Sequence, residues 1–271
     1  MTTRRTLLCH GSALALFPLV ATPSWAQTSA APKSADYRLL VGQATRLSVL
    51  SDRVTRCQVQ RALQVMPPRA ERQLDDTQRE VTTVMAELAA SNLSSTTRRL
   101  QQEASQSYND FLKNSRAFDV SKTDNLVSFA EQADVVGDKV DALVAALLTE
   151  SGQAQAQLLA TSADLQRLTQ HTAVHFLLAS AGLQTPQQMK EVESARQVFG
   201  NKFDNLQKAT LKTPAIDNQL QLLGPQWLLM SAALAHPGRD NRTLENICTT
   251  SERLLEVTTA LYRLYDAALK A

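Results

Sequence analysis

The chain has 271 residues, a formal net charge of +2 and only 5% aromatic residues. Such an interspersed, near-neutral surface argues against nucleic acid or an anionic membrane as the main partner. No window beyond the N-terminus approaches the roughly 18 uninterrupted apolar residues that a membrane span needs, and the length suits one elongated domain or two compact ones.

The N-terminal 26 residues differ from the rest. Arg4 and Arg5 form a positive start, Leu7 to Val20 are moderately apolar, and Ser24-Trp25-Ala26 place small residues where a signal peptidase cuts before Gln27. Residues 1–26 are therefore expected to be a removable signal peptide. The run from Thr3 to Leu8 (TRRTLL) also has the twin-arginine pattern, so twin-arginine and general secretory export both fit. Cys9 lies too early for a lipoprotein cleavage box. Once the two arginines are removed the remainder is close to neutral, and a soluble periplasmic protein is expected. Residues 27–35 are small and polar and read as a flexible N-terminus of the mature chain.

Beyond that point Ala, Leu, Gln, Glu and Arg dominate and glycine is scarce, which predicts an all-α protein. Helix one runs from about Asp36 to Met66 and is stopped by Pro67-Pro68. Helix two follows to about Ala90, with Leu74, Val81, Val84 and Leu88 on one stripe. Helix three runs from the Asn92–Ser95 turn to about Ala117 and buries Leu100, Ala104, Tyr108, Phe111 and Leu112. Ser121 and Asp124 have capping-box spacing and open helix four, with Leu126, Phe129, Ala133, Val136, Val140, Leu143 and Leu147 inward. At Gly152 this helix either bends and continues to about Ala181 or breaks, since a glycine inside a helix costs only about 1 kcal/mol. Thr185 as N-cap with Pro186 at N1 starts the next helix, Thr213-Pro214 repeats the device, and the last helix spans Asn241 to Lys270.

The element order recurs at a shift of about 119 positions. Leu50-Ser51 falls on Leu168-Thr169, Tyr108 on Trp227, and Leu126 near Leu244. Short connections make successive helices antiparallel neighbours. The expected architecture is therefore two tandem up-down four-helix bundles, residues 36–150 and 151–271, related by duplication.

The sequence contains no glycine-rich phosphate loop, nucleophile elbow or haem-attachment motif, so neither catalysis nor a cofactor is expected. His171 and His175 lie one helical turn apart and could hold a metal from one face, with a third ligand from His236 or from a carboxylate on another helix. The plainer reading is an interfacial pair beside Phe176 and Leu177. Cys57 and Cys248, on the first and last helices, either form a disulfide, worth on the order of 2–5 kcal/mol, or remain two buried thiols on apolar stripes. Helix one carries Arg46, Arg53, Arg56 and Arg61, read either as arginines snorkelling along the bundle edge or as a small-anion site.

The stretch from Ala44 to Arg56 (ATRLSVLSDRVTR) resembles the signature of the PilJ-type domain. That domain is the N-terminal sensory module of type IV pili methyl-accepting chemotaxis transducers and is related to the periplasmic domains of nitrate/nitrite sensors. The proline turn and helix from Pro67 to Leu74 extend the likeness, as do Leu168 to Ala173 (LTQHTA) and Thr213 to Leu220 leading to Trp227 in a second, degenerate copy. Thr45 replaces the family glycine, and Ser48 stands where nitrate sensors have the arginine that contacts the anion. In the second copy that slot is Gln166, or Arg167 with a slip of one, and His171 replaces the arginine equivalent to Arg53. The resemblance implies a sensory or ligand-binding module with a small anion or organic ligand near Arg46, Ser48 and Arg53, at a homodimer interface as in the related sensors. With no output segment of its own, such a module needs a membrane receptor or envelope protein as partner. The alternatives are a structural or assembly bundle of the cell envelope and a metal or haem carrier.

Overall fold

The computed structural model describes residues 34–152, 154–235, 237–238 and 240–270. The expected signal peptide, most of the expected flexible segment, and His236 lie outside the described residues, while Ser34 is already helical. Eight α-helices carry the described chain, and no strand occurs among those residues. They are α1 (Ser34–Ala62), α2 (Pro67–Ala90), α3 (Ser95–Arg116), α4 (Leu126–Ser151), α5 (Ala154–Ser180), α6 (Thr185–Lys208), α7 (Pro214–Ala233) and α8 (Asn241–Ala268).

Helices α1–α4 enclose one apolar core, in which Leu47, Val54, Val81, Tyr108, Phe111 and Phe129 meet. A second core between α5 and α8 contains Leu165, Phe176, Phe199, Leu223, Ile247 and Tyr265. The up-down course shows in contacts between opposite helix ends. Tyr37, at the start of α1, donates to Glu150 at the end of α4, and Glu150 also accepts from Ser94 and Thr97 at the start of α3. Gln43 near the start of α1 donates to Glu87 near the end of α2.

The two bundles share a seam, where α1 packs along α5 more extensively than it packs on α2. These two helices are buried almost all round, which explains why their apolar pattern is weak: one face meets its own bundle and the opposite face meets the other helix. The seam face is polar. Ser51, Asp52, Arg56 and Gln60 of α1 are buried there, as are Gln166, Thr169 and Gln170 of α5.

The helix breaks repeat between halves. At the end of α1, Val65 N–H donates to Gln60 C=O and Gln64 N–H to Arg61 C=O, with Gln64 left-handed at φ 57°. At the end of α5, Leu183 donates to Leu178 and Gly182 to Ala179, with Gly182 at φ 82°. Both are Schellman closures. Each is followed by a second left-handed residue, Met66 (φ 47°) or Gln184 (φ 48°), and then by the next helix, which carries a proline in its first turn. These residues correspond at a shift of about 118 positions.

Several sequence expectations change in detail. Gln184, not Thr185, is the N-cap of α6, and the Thr185 hydroxyl donates back to Ala179 C=O. Ser121 and Asp124 form no capping box, because Ser121 instead donates its N–H and hydroxyl to Asp119, and a 3₁₀ turn, Thr123–Asn125, leads into α4. Thr213 caps α7 as expected, accepting from Ile216 N–H. Gly152 adopts a left-handed conformation (φ 61°), so α4 and α5 are separate helices.

Candidate functional site

The seam holds two polar clusters that occupy corresponding positions in the two halves. In the first, Arg56 of α1 is fully buried. Its Nε donates to Gln170 Oε1 of α5 at 2.8 Å, and its Nη groups donate to Gln60, to Gln73 of α2 and to Glu252 of α8. Arg53 donates to the other Glu252 oxygen at 2.8 Å, and Gln73 Nε2 donates to it at 3.1 Å. Burial alone would raise the Glu252 carboxyl, but the Arg56 and Arg53 charges outweigh it and hold that carboxyl below its ordinary value. Arg56 therefore does not snorkel at the bundle edge; it is the hub that ties α1, α2, α5 and α8 together.

Both cysteines lie beside this hub. Cys57 and Cys248 are buried free thiols, so the disulfide alternative is not realised. The Arg56 guanidinium lies against both sulfurs, at 3.8 Å from Cys57 Sγ, and burial pushes the Cys248 thiol up to about 11.

In the second cluster, His171 takes the place of Arg53, His175 that of Cys57, and Asp134 of α4 that of Glu252. His171 Nδ1 lies 3.5 Å from Asp52 Oδ1 and 3.9 Å from Asp134 Oδ1. The two imidazoles meet edge to face with centroids 4.2 Å apart, and His175 Nδ1 is 2.6 Å from Gln188 Oε1 of α6. Burial, then the neighbouring His171 charge, pushes His175 down to about 4. Burial would lower His171 too, but its bond to the Asp52 carboxylate reverses that and raises it. Burial raises Asp134 to about 6. Asp134, on α4, is the carboxylate that stands beside both histidines, and it carried no local sequence signal.

Two clefts open beside the clusters, each about 290 Å³. Their lining corresponds position by position: Arg46, Val49, Glu80 and Thr259 in the first, Asp164, Arg167, Val198 and Asp141 in the second. The first cleft has an apolar side formed by Leu39, Val49, Ala163 and Tyr262, and a charged rim that includes Arg46, Arg263 and Lys270. Gly42 lets Tyr262 reach into it, since a Cβ there would lie 1.9 Å from the phenol oxygen.

The three residues expected to bind an anion separate. Arg46 points into the first cleft and pairs with Glu80 at 2.6 Å. Ser48 is buried and donates to Asp141 at 3.5 Å. Arg53 is held by Glu252. Only Arg46 faces a cavity. No helix among the described residues is long and apolar enough to cross a membrane. Compared with family models, with curated proteins and with solved structures, the chain finds no match in any of the three.

Proposed function

We propose that this chain is an exported, non-catalytic binding module that holds a small organic ligand with an anionic group in the first cleft. It would present that ligand to a membrane receptor or envelope protein. The observation that carries the reading is the cleft's composition: an apolar side with Tyr262 lies beside a charged rim in which Arg46, Arg263 and Lys270 outnumber the acids Glu80 and Asp266. Ligand sites combine a largely apolar lining with a few placed polar groups in this way. The Arg46–Glu80 pair is partly exposed on both sides, and pairs of that kind contribute only about 0–1 kcal/mol. A ligand carboxylate can therefore take Arg46 from Glu80 at little cost. Arg53 offers no such opening, because Glu252 and its neighbours are buried around it.

The PilJ-type pedigree and the duplication are part of this proposal. The matching Schellman closures and the corresponding clusters at the seam support a repeat, and the stretch from Ala44 to Arg56 supports the sensory kinship. Export rests on the N-terminal pattern of Arg4, Arg5, the apolar run and Ala26. The reading is tested by a thermal-shift screen of the mature chain against small carboxylates, amino acids and inorganic anions. A ligand that raises Tm for the native chain should do nothing for Arg46→Ala; a shift that survives this change would sink the assignment.

A second reading, assembly with an envelope protein, is favoured by α7. Leu222, Leu228 and Leu229 stand 56%, 70% and 70% exposed on this one helix. Scattered apolar residues are ordinary, but three on one helix form a patch that a partner would cover. Pull-down from an envelope extract that is lost with Leu228→Glu and Leu229→Glu would favour assembly over ligand presentation.

A further inference from the structure

We infer that Asp134, His171 and His175 form a binding site for a divalent transition metal ion of the zinc class, on the seam face of the second bundle. The inference is independent of the ligand proposed for the first cleft. One ligand atom from each of the three residues lies within 4.8 Å of the other two. Ligand atoms around a tetrahedral Zn²⁺ at about 2.0–2.2 Å stand roughly 3.3–3.5 Å apart, so a small rotamer adjustment closes the site. Two imidazoles and one carboxylate with a remaining open position are a donor set that suits Zn²⁺, Co²⁺, Ni²⁺ and Cu²⁺ and disfavours Mg²⁺ or Ca²⁺.

The surroundings are built for the same task. A metal-binding histidine usually donates its other ring N–H to a carboxylate or carbonyl, which fixes the tautomer and aims the free lone pair. Each of these histidines has such a partner. His175 Nδ1 meets the side-chain carbonyl of Gln188, itself buried, which leaves Nε2 for the ion. His171 Nδ1 faces the buried carboxylate of Asp52, which Arg167 holds from the other side at 3.5 Å. The ligands come from α4 and α5, two long helices fixed by the bundle core, and the orienting groups come from α1 and α6. The second cleft reaches His171 and provides the entry path and a place for a metal-bound water, with Glu191 on its wall.

The two halves differ in charge at this place. At the corresponding place in the first half, Arg53 and Arg56 neutralise Glu252 and leave no lone pair for a cation. In the second half the arginine equivalent to Arg53 is a histidine, the thiol of Cys57 is a histidine, and Val174 stands where Arg56 would. The substitution of a permanent cation by neutral donors converts an ion-pair knot into a set of ligands around a buried-edge carboxylate.

The test uses the mature full-length chain, stripped with a chelator and titrated with Zn²⁺ by calorimetry at neutral pH, with Co²⁺ as a spectroscopic probe. The expected result is one ion per chain and a visible Co²⁺ absorption of tetrahedral intensity. Asp134→Asn, at a half-exposed position, should keep the helical signal and weaken Zn²⁺ binding by more than about a hundredfold. Gln188→Leu, which touches only the orienting group, should weaken it by about tenfold to a hundredfold. His175→Ala should abolish the Co²⁺ bands. The inference is overturned if no stoichiometric binding occurs, if Asp134→Asn and His175→Ala bind as the native chain does, or if binding is lost instead with Cys57→Ser or Cys248→Ser.

Discussion

Arg56 and Glu252 show how strongly a single buried charge can constrain this chain. Glu252 is buried and accepts from Arg53, Arg56 and Gln73. Removing one partner of a buried pair leaves an uncompensated charge, at a cost of about 3–5 kcal/mol. Glu252→Gln should therefore lower the stability in urea by about that amount, and a loss below about 1 kcal/mol would refute the hub role. The sign of the pH dependence follows from the same pairing. The folded carboxyl sits below the ordinary value of 4.5, so its stabilisation is complete above that pH and is lost as pH falls through the depressed folded value. Native protein should lose Tm as the pH falls below the ordinary carboxyl value of 4.5, and Glu252→Gln should flatten that slope. A second residue-scale prediction concerns Gly42. In Gly42→Ala the new Cβ displaces Tyr262, whose phenol is pushed up to about 12 by burial and then by Asp266. Freed into solvent it should titrate near 10 in an ultraviolet pH titration, and an unchanged value would show that the ring has not moved.

At the scale of elements, the helix breaks separate what sequence can show from what it cannot. Pro67-Pro68, Thr213-Pro214 and Gly152 act through their own covalent chemistry, which a residue carries wherever it sits. Gln64, Met66 and Gln184 are left-handed where the chain must turn round into the next helix, and glutamine or methionine carries no signal for that. The same division governs the sites. His171 and His175 are legible as a pair because they share a helix, whereas Asp134, Asp52 and Gln188 join them only through the contacts of α4, α1 and α6. Arg56 looked like its neighbouring surface arginines because burial from the second bundle leaves no trace in the pattern of α1. The turn geometry yields a paired prediction. A non-glycine residue in the left-handed region costs about 1–2 kcal/mol, part of which glycine recovers. Gln64→Gly should raise stability by roughly 0.5–1 kcal/mol and Gly182→Ala should lower it by about 1 kcal/mol, both read from denaturation midpoints.

On the scale of the molecule, the seam decides whether the two bundles are one folding unit. Each has its own apolar core, which would let either fold alone if cores were the only requirement. The polar face of α1 argues otherwise. Arg56 needs Gln170 and Glu252 from the second bundle, and Gln170 in turn donates to Ser251 C=O. Asp52 needs Arg167 and His171. Pulling the bundles apart would strip a fully buried guanidinium of its counter-charge and leave a stripe of buried amides and hydroxyls facing water without their native partners. Apolar residues also cross the boundary, since Val59, Val65, Leu126 and Ala130 of the first half belong to the second core. Unfolding should therefore be a single cooperative event. Trp227 stacks on Phe199 with ring centroids 3.6 Å apart and reports the second bundle, while the far-ultraviolet dichroism reports all helices. In urea, with Trp25 absent from the processed chain or replaced by Phe, the two signals should give one midpoint. Arg56→Met combined with Glu252→Leu tests the cause, because it makes the centre of the hub apolar and leaves only the part-exposed Arg53 without its counter-charge. If that double variant stays stable yet its fluorescence and dichroism transitions split, the polar hub is what couples the halves; if they remain coincident, the shared apolar packing of α1 against α5 suffices.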